Sequence, residues 1–312
     1  MLQTSRKPVI STVKRLKEQI MSISSVYAKS ARFDTAHPLT DDELFKFAPS
    51  IFASTAHESR STRFCPIPTI SILNALRKEG FFPVAARQSN SKDETKLKYT
   101  KHVVRLRRFD NVKKYEIEDS ICEILLKNAN DGTSLYELMA AIFKIRCLNS
   151  LVAQTATIDT VKIRHAGKED IPQQVIEGTY RVLEESIKCL DAPRQWSQLE
   201  MNPDQKMTLA RAAHVLRFNG EDEIDAPVKP QQLLVPKRIV DNGNDLWTTF
   251  NVIQEHCLKG GDIGYRPTNR ATQTGTRRIT TRPIRNIEAE IRLNKALWMI
   301  SEAFAVKMQA SV

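Results

Sequence analysis

Apolar positions recur along this chain with two different periods, and each change of period marks an element. Behind Pro8, the residues Ile10, Val13, Leu16, Ile20 and Ile23 fall at helical spacing with Lys14, Arg15, Lys17 and Glu18 between them, which predicts an amphipathic helix. Thr40 before Asp41-Asp42-Glu43 reads as the cap of a short acidic helix. Cys65 to Pro68 should be extended, because each proline disfavours helix in the residue before it, and Thr69 should cap a helix that runs through Arg77 and stops at Gly80. Val104 and Leu106 alternate with Val103, Arg105 and Arg107, which predicts a strand with a basic face over Tyr99–Arg108. The apolar run in Ile117–Lys127 suits a buried strand, with a short helix as the alternative. The turn from Asn128 to Gly132 leads to Leu135–Leu148, whose apolar residues are spaced as a helix behind Thr133 and Ser134. Thr157–His165 alternates again and predicts a second strand with a basic face.

The C-terminal half reads as helical at Gln173–Leu190, Gln205–Phe218, Asp245–Lys259 and Ile287–Met308. Between them lie a stretch that is acidic and then proline-rich, and a loop over Asp262–Arg285. The fold class expected is α+β: a mixed or antiparallel sheet with basic strand faces packed by helices, and helical N- and C-terminal segments. The corresponding division is an N-terminal helical segment over 1–60, an α+β core over 61–218, a proline-containing linker or excursion over 219–244, and C-terminal helices with an arginine-rich loop over 245–312.

Composition adds a partner class. The chain has 312 residues, 41% of them apolar, so it can bury one large core or two modest ones. Lys and Arg total 47 against 36 for Asp and Glu, a formal net charge of +11, and such a field attracts polyanions in a salt-dependent way. The five cysteines are scattered and form no C-x-x-C pair, which fits reduced thiols. Basic residues interrupt the N-terminal apolar run before signal-peptide length, and no stretch approaches the ~18 apolar residues of a membrane span. The expectation is a soluble, cytoplasmic protein with no membrane partner.

Cations gather in two places. The first, Arg77 to Lys114, contains Arg87, Lys101, Arg105, Arg107 and Arg108; Lys162 and Arg164 on the later strand extend it. The second is the loop with Arg266, Arg270, Arg277, Arg278, Arg282 and Arg285. Guanidinium groups suit phosphate oxygens, and Tyr99, Phe109 and Tyr265 lie among these charges as candidate stacking faces for unpaired bases. A solvated strand face and a floppy loop explain either cluster alone; two clusters together favour nucleic-acid binding. No phosphate loop, H-E-x-x-H pair or G-x-S-x-G elbow is present, so no catalytic residue, metal or cofactor is assigned. His102 and His165 read as core or edge histidines.

Several segments together resemble a family of unknown function, the YfjQ-like proteins of prophages and conjugative plasmids. They are Pro68-Thr69, Gly80-Phe-Phe-Pro83, Arg87-Gln-Ser89, His102-Val-Val-Arg-Leu-Arg-Arg108, Asn128-Ala-Asn-Asp-Gly-Thr-Ser-Leu-Tyr136, Phe143 to Asn149, Val161 to His165, Val175 to Gly178, Thr280-Thr-Arg282 and Arg292 to Trp298, in consistent order from Pro66 to Met308. Where the family commonly has Ser-His in the central turn, this chain has Asn128-Ala129-Asn130, and Cys-Asn-Gly becomes Cys147-Leu-Asn-Ser150. The resemblance implies a mobile-element protein acting when DNA enters a cell single-stranded, and it brings no catalytic residues. The order of basic strands and helices also loosely resembles phage single-strand annealing proteins. The function expected is therefore binding or annealing of single-stranded DNA without intrinsic catalysis. The alternative is a factor that inhibits a host defence or DNA-repair protein. A second copy of the chain is a further candidate partner.

Overall fold

The computed structural model describes residues 37–109, 116–117, 120–144, 150–151, 160–165, 171–189, 191–218, 226–269, 272 and 274–310. The helix expected over Ile10–Ile23, and Lys113, Lys114 and Arg270 of the basic clusters, lie outside the described residues.

The fold is α+β. Its larger sheet is antiparallel, with β1 (Phe81–Gln88), β2 (His102–Arg108), β4 (Ser120–Asn128), β5 (Tyr136–Lys144) and β6 (Ser150–Leu151) in that order. β3 (Glu116–Ile117) pairs with β4, and β7 (Val161–Ile163) pairs with β5. β1 is an edge strand, where Pro83 costs no ladder bond; the register slips between Pro83 and Ala85, and the Pro83 carbonyl instead accepts from the Leu39 N–H at 2.7 Å.

Leu135–Leu148, expected as a helix, is strand β5 over Tyr136–Lys144. The reason is that the strand is central and covered on both faces. Tyr136, Leu138, Ala140 and Ile142 point to one buried cluster, Met139 and Ala141 to another, so no polar alternation survives to betray the period. Thr69 does not cap its helix: Pro68 takes that place, and the Thr69 side chain is turned inward.

One face of the sheet is covered by α2 (Thr69–Lys78) and α3 (Ile171–Cys189), after the short, Thr40-capped α1 (Asp41–Phe47). Ile72, Leu73, Leu76, Val175, Val182 and Leu183 meet Val104, Leu106, Ile124, Leu126 and Leu138 there. The same continuous cluster extends into a layer of α4 (Asp191–Trp196), α5 (Pro203–Phe218), α6 (Leu246–Lys259) and α7 (Ile287–Gln309). Trp196 forms its hub, 4.6 Å from the Trp298 ring and 5.7 Å from Phe250. Each fully buried Leu, Ile or Phe contributes about 1.5–3 kcal/mol. The stretch read from sequence as a linker packs Ala226, Val228 and Leu233 in the interior and carries two short 3-10 turns.

The other sheet face is covered by the start of α7, whose Ile287 and Ile291 pack on Val103, Ile121, Leu125 and Met139. The expected arginine loop is a separate hairpin, β8 (Ile263–Asn269) with β9 (Thr274–Thr280). Its Thr, Tyr and Ile residues supply strand propensity that the density of arginine obscured. Among the described residues no helix is long and apolar enough to cross a membrane.

Candidate nucleic-acid interface

Arg87, Lys101, Arg105 and Arg107 of the first basic cluster gather on the sheet face under α7. Side chains alternate along a strand, so Arg105 and Arg107 do point away from Val104 and Leu106, but that face is not solvent. Both arginines are buried, and the Glu123 carboxylate on β4 lies between them: Arg105 Nε donates to Oε2 at 2.7 Å, and Arg107 Nη2 to Oε1 at 2.6 Å. The basic face expected of this strand is present, but it is buried. The register explains the arrangement. Arg105 stands opposite Leu125, one step along from Leu106 and Ile124, which brings Arg107 level with Glu123.

A second line of charge crosses the same face. Arg87 on β1 is aligned with Val103, Val103 with Lys127, Lys127 with Glu137, and Glu137 with Lys162. The first turn of α7 closes over it. Glu290 pairs with the buried Arg87, and the Glu288 carboxylate accepts from Lys101 and from Lys127 at 2.8 Å each. Lys127 also reaches Glu137 at 3.0 Å. Burial pushes the Glu288 carboxyl up, but hydrogen bonds and charge from Lys101 and Lys127 outweigh it and hold the group below its ordinary range. These acids on β4 and α7 lie far in sequence from the cations they meet, so local charge counting missed them. Arg108, half-buried, lies over the Phe81 and Tyr180 rings at 5.4 Å from each. Lys162 and Arg164 are exposed.

Two of the stacking candidates are engaged within the protein. Tyr99 meets His57 edge to face at 5.5 Å, and Phe109 meets Phe82 at 5.8 Å; both are half-buried. Tyr265 is 61% exposed.

The second cluster is presented to solvent. Paired residues of a hairpin share a face, so Tyr265 and Arg278 lie on one side of the ribbon and Arg266 and Arg277 on the other. Arg277, Arg278, Arg282 and Arg285 are exposed, and Arg266 is half-exposed. The ribbon is fixed at its base. The Tyr265 N–H donates to the Pro227 carbonyl at 3.0 Å, and Gln232 Nε2 donates to the Ile263 carbonyl at 2.9 Å. Gly264 permits this approach, since a Cβ there would lie 1.5 Å from the Pro227 oxygen. On the other side Asp262 accepts from His256 at 2.6 Å and from the Thr281 hydroxyl at 3.2 Å. The second His256 nitrogen lies 2.7 Å from the Val235 carbonyl, so the ring bridges the two segments. Burial pushes the Asp262 carboxyl up, while His256, Lys237 and Thr281 more than reverse it. Pro227, Lys229 and Gln232 were missed as parts of this site; the cluster of prolines at 227, 230 and 236 was the available signal, read only as punctuation.

The histidines serve the interior. His102 is fully buried, with Ser50 Oγ 2.9 Å from Nδ1 and Thr69 Oγ1 2.8 Å from Nε2. Asn128 Nδ2 donates to that same Thr69 oxygen at 2.9 Å, and the Thr100 carbonyl, 3.3 Å from Nδ1, accepts from that nitrogen. Burial pushes the His102 pKa down to about 4. His165 stacks on Phe64 at 4.6 Å. Cys65, Cys122 and Cys257 are free thiols, and burial raises Cys257 to about 12, far from reactive. Among the described residues no group of three or more His, Cys, Asp or Glu side chains could hold a metal ion.

The molecule is thus an α+β protein with a neutralised sheet face and an exposed, arginine-bearing ribbon. By comparison with known families the chain belongs to the domain of unknown function DUF932, whose model matches residues 56–298. It is 40% identical over 272 residues to the UPF0380 protein YafZ of Escherichia coli (strain K12), and 39% identical over 272 residues to the UPF0380 protein YfjQ of the same strain. Each alignment covers 87% of this chain and 93% of the relative. No solved structure matches the chain.

Proposed function

We propose that this chain is a nucleic-acid-binding protein of a mobile genetic element, which holds single-stranded DNA along the β8–β9 ribbon and performs no chemistry on it. The observation that carries the reading is the contrast between the two basic clusters. Arg87, Lys101, Arg105, Arg107 and Lys127 meet carboxylates of the chain itself, whereas Arg277 and Arg278 stand in solvent on β9 and Arg282 and Arg285 in the segment that follows it. A net charge of +11 supplies the long-range attraction. Phosphate contacts along a ribbon position a strand without reading its sequence.

The test is a fluorescence-anisotropy titration against single-stranded DNA, duplex DNA and RNA at two salt concentrations. Binding should weaken with salt, and the Arg277→Ala/Arg278→Ala protein should lose about two counterion terms of ~0.7 each from the slope of log affinity against log salt. An unchanged slope in a folded double variant removes the ribbon from the binding surface.

A second reading rests on Val235, Ile239 and Val240, which are 58%, 94% and 69% exposed in the segment between Gln232, which bonds the ribbon, and α6. Clustered apolar side chains in solvent mark protein contacts. In this reading the chain inhibits a host defence or repair protein, its positive charge masking that protein's nucleic-acid partner. Absence of salt-sensitive nucleic-acid binding favours it.

A further inference from the structure

The base of the ribbon holds more than arginines. Between β8 and the neighbouring Ala226–Val228 segment opens a cleft of about 560 Å³, with Pro227, Val228, Lys229, Gln232, Ile263 and Tyr265 among its walls. That volume falls within the ~300–1,000 Å³ typical of sites for small organic groups. Ile263 is 45% exposed and Tyr265 61% exposed, and neither belongs to a hydrophobic cluster of the fold. Two large apolar surfaces are therefore held at the cleft without serving the core.

The chemistry around them is specific in kind. Arg278 stands directly opposite Tyr265 in the hairpin register and shares its face, and Lys229 is exposed on the facing wall. The Gln232 side chain is committed to the wall itself: its amide nitrogen donates to the Ile263 carbonyl and its oxygen accepts from the Lys229 N–H, both at 2.9 Å. The cleft thus offers an aromatic face, aliphatic walls and two flanking cations, with its side-chain amide already satisfied. A planar, uncharged ring attached to a phosphate backbone matches that set. A base inside a duplex does not, because both of its faces are covered by neighbours, whereas stacking on an aromatic side chain tolerates any unpaired base.

We propose that this cleft receives one unstacked base of a bound single strand, stacked on Tyr265, with Arg278 and Lys229 against the adjoining phosphates. The proposal rests on the nucleic-acid reading above and gives it a substrate class. The experiment compares an oligothymidine with an abasic oligomer of the same length and charge, in which every base is removed and every phosphate kept. The unsubstituted protein should prefer oligothymidine by about tenfold or more, since each stacked base is worth that much in comparable sites. Tyr265→Ala should erase the preference with the salt slope unchanged, and Tyr265→Phe should retain it. Arg277→Ala, on the opposite face, should lower the slope and leave the preference intact. Equal affinity of the unsubstituted protein for the two oligomers, or an equal loss for both in Tyr265→Ala, overturns the cleft as a base site while the ribbon can still bind phosphates. Failure of both oligomers to bind in a salt-sensitive way overturns the nucleic-acid reading itself.

Discussion

Arg266 and Arg277 stand directly opposite each other across the β8–β9 ribbon, two guanidinium side chains on one face of a two-stranded sheet. Like charges in that relationship destabilise a hairpin, whereas opposite charges stabilise it by about 0.2–1 kcal/mol. Arg277→Glu should therefore leave thermal stability unchanged or slightly raised, and should weaken nucleic-acid binding more than Arg277→Ala does. A thermal melt and an anisotropy titration on the same preparation check both halves. A variant that is less stable and binds normally contradicts the assignment of Arg277 to the binding face.

Glu123 carries the opposite lesson. It is the carboxylate between two buried guanidinium groups, and removing one partner of a buried ion cluster leaves uncompensated charge at a cost of about 3–5 kcal/mol. Glu123→Ala should lower the urea midpoint by a corresponding amount. Replacing all three residues with apolar side chains of similar volume should recover most of the loss, because the desolvation cost disappears with the charges. If the triple variant is no more stable than Glu123→Ala, the arginines are stabilised by something other than Glu123.

Gly264 tests how the ribbon is fastened. A Cβ there meets the Pro227 oxygen and Val228, so Gly264→Ala should part β8 from the Ala226–Val228 segment while the sheet and helical layer remain folded. The expected result is faster tryptic cleavage at Arg277 and Arg278, near-normal circular dichroism, and loss of any preference for oligothymidine over the abasic strand. Cleavage at the unsubstituted rate would mean that the Asp262, His256 and Thr281 contacts hold the ribbon on their own.

The sequence exposed the elements whose apolar positions keep a regular period against polar ones, and it concealed the strand that is apolar on both faces. Strand β2, helices α3, α5, α6 and α7, and the capping box at Thr40 and Glu43 were legible because apolar spacing or cap chemistry is local. Strand β5 was not, since burial of Met139 as well as Leu138 removes the period-two contrast. Of the candidate site, the arginines could be named from sequence. Which of them reach solvent depended on Glu123, Glu288 and Glu290, three acids that approach only through strand register and the docking of a helix 161 residues or more along the chain from Lys127.

His102 sets a pH dependence whose sign follows from its burial. In the folded protein its pKa is pushed from the ordinary 6.5 to about 4, because the imidazole has left water and sits between Ser50 and Thr69. Between those two values the unfolded chain binds a proton that the folded chain does not, so stability falls as the pH drops. Above pH 6.5 the neutral ring contributes fully; near pH 4 roughly 3 kcal/mol has been lost, taking 1.36 kcal/mol per pKa unit. The depressed carboxyls of Asp262 and Glu288 act in the same direction, but over a lower range, since their loss begins only as carboxylates protonate. Urea unfolding at pH 7, 5.5 and 4.5 separates the two, because a carboxylate contributes little of the change between pH 7 and 5.5. His102→Gln should be less stable than the unsubstituted protein at pH 7, and its stability should be nearly flat from pH 7 to 5.5, where the unsubstituted protein already declines. Parallel declines in both proteins over that interval would place the titrating group elsewhere, and His165, which burial also pushes down, is the next to substitute.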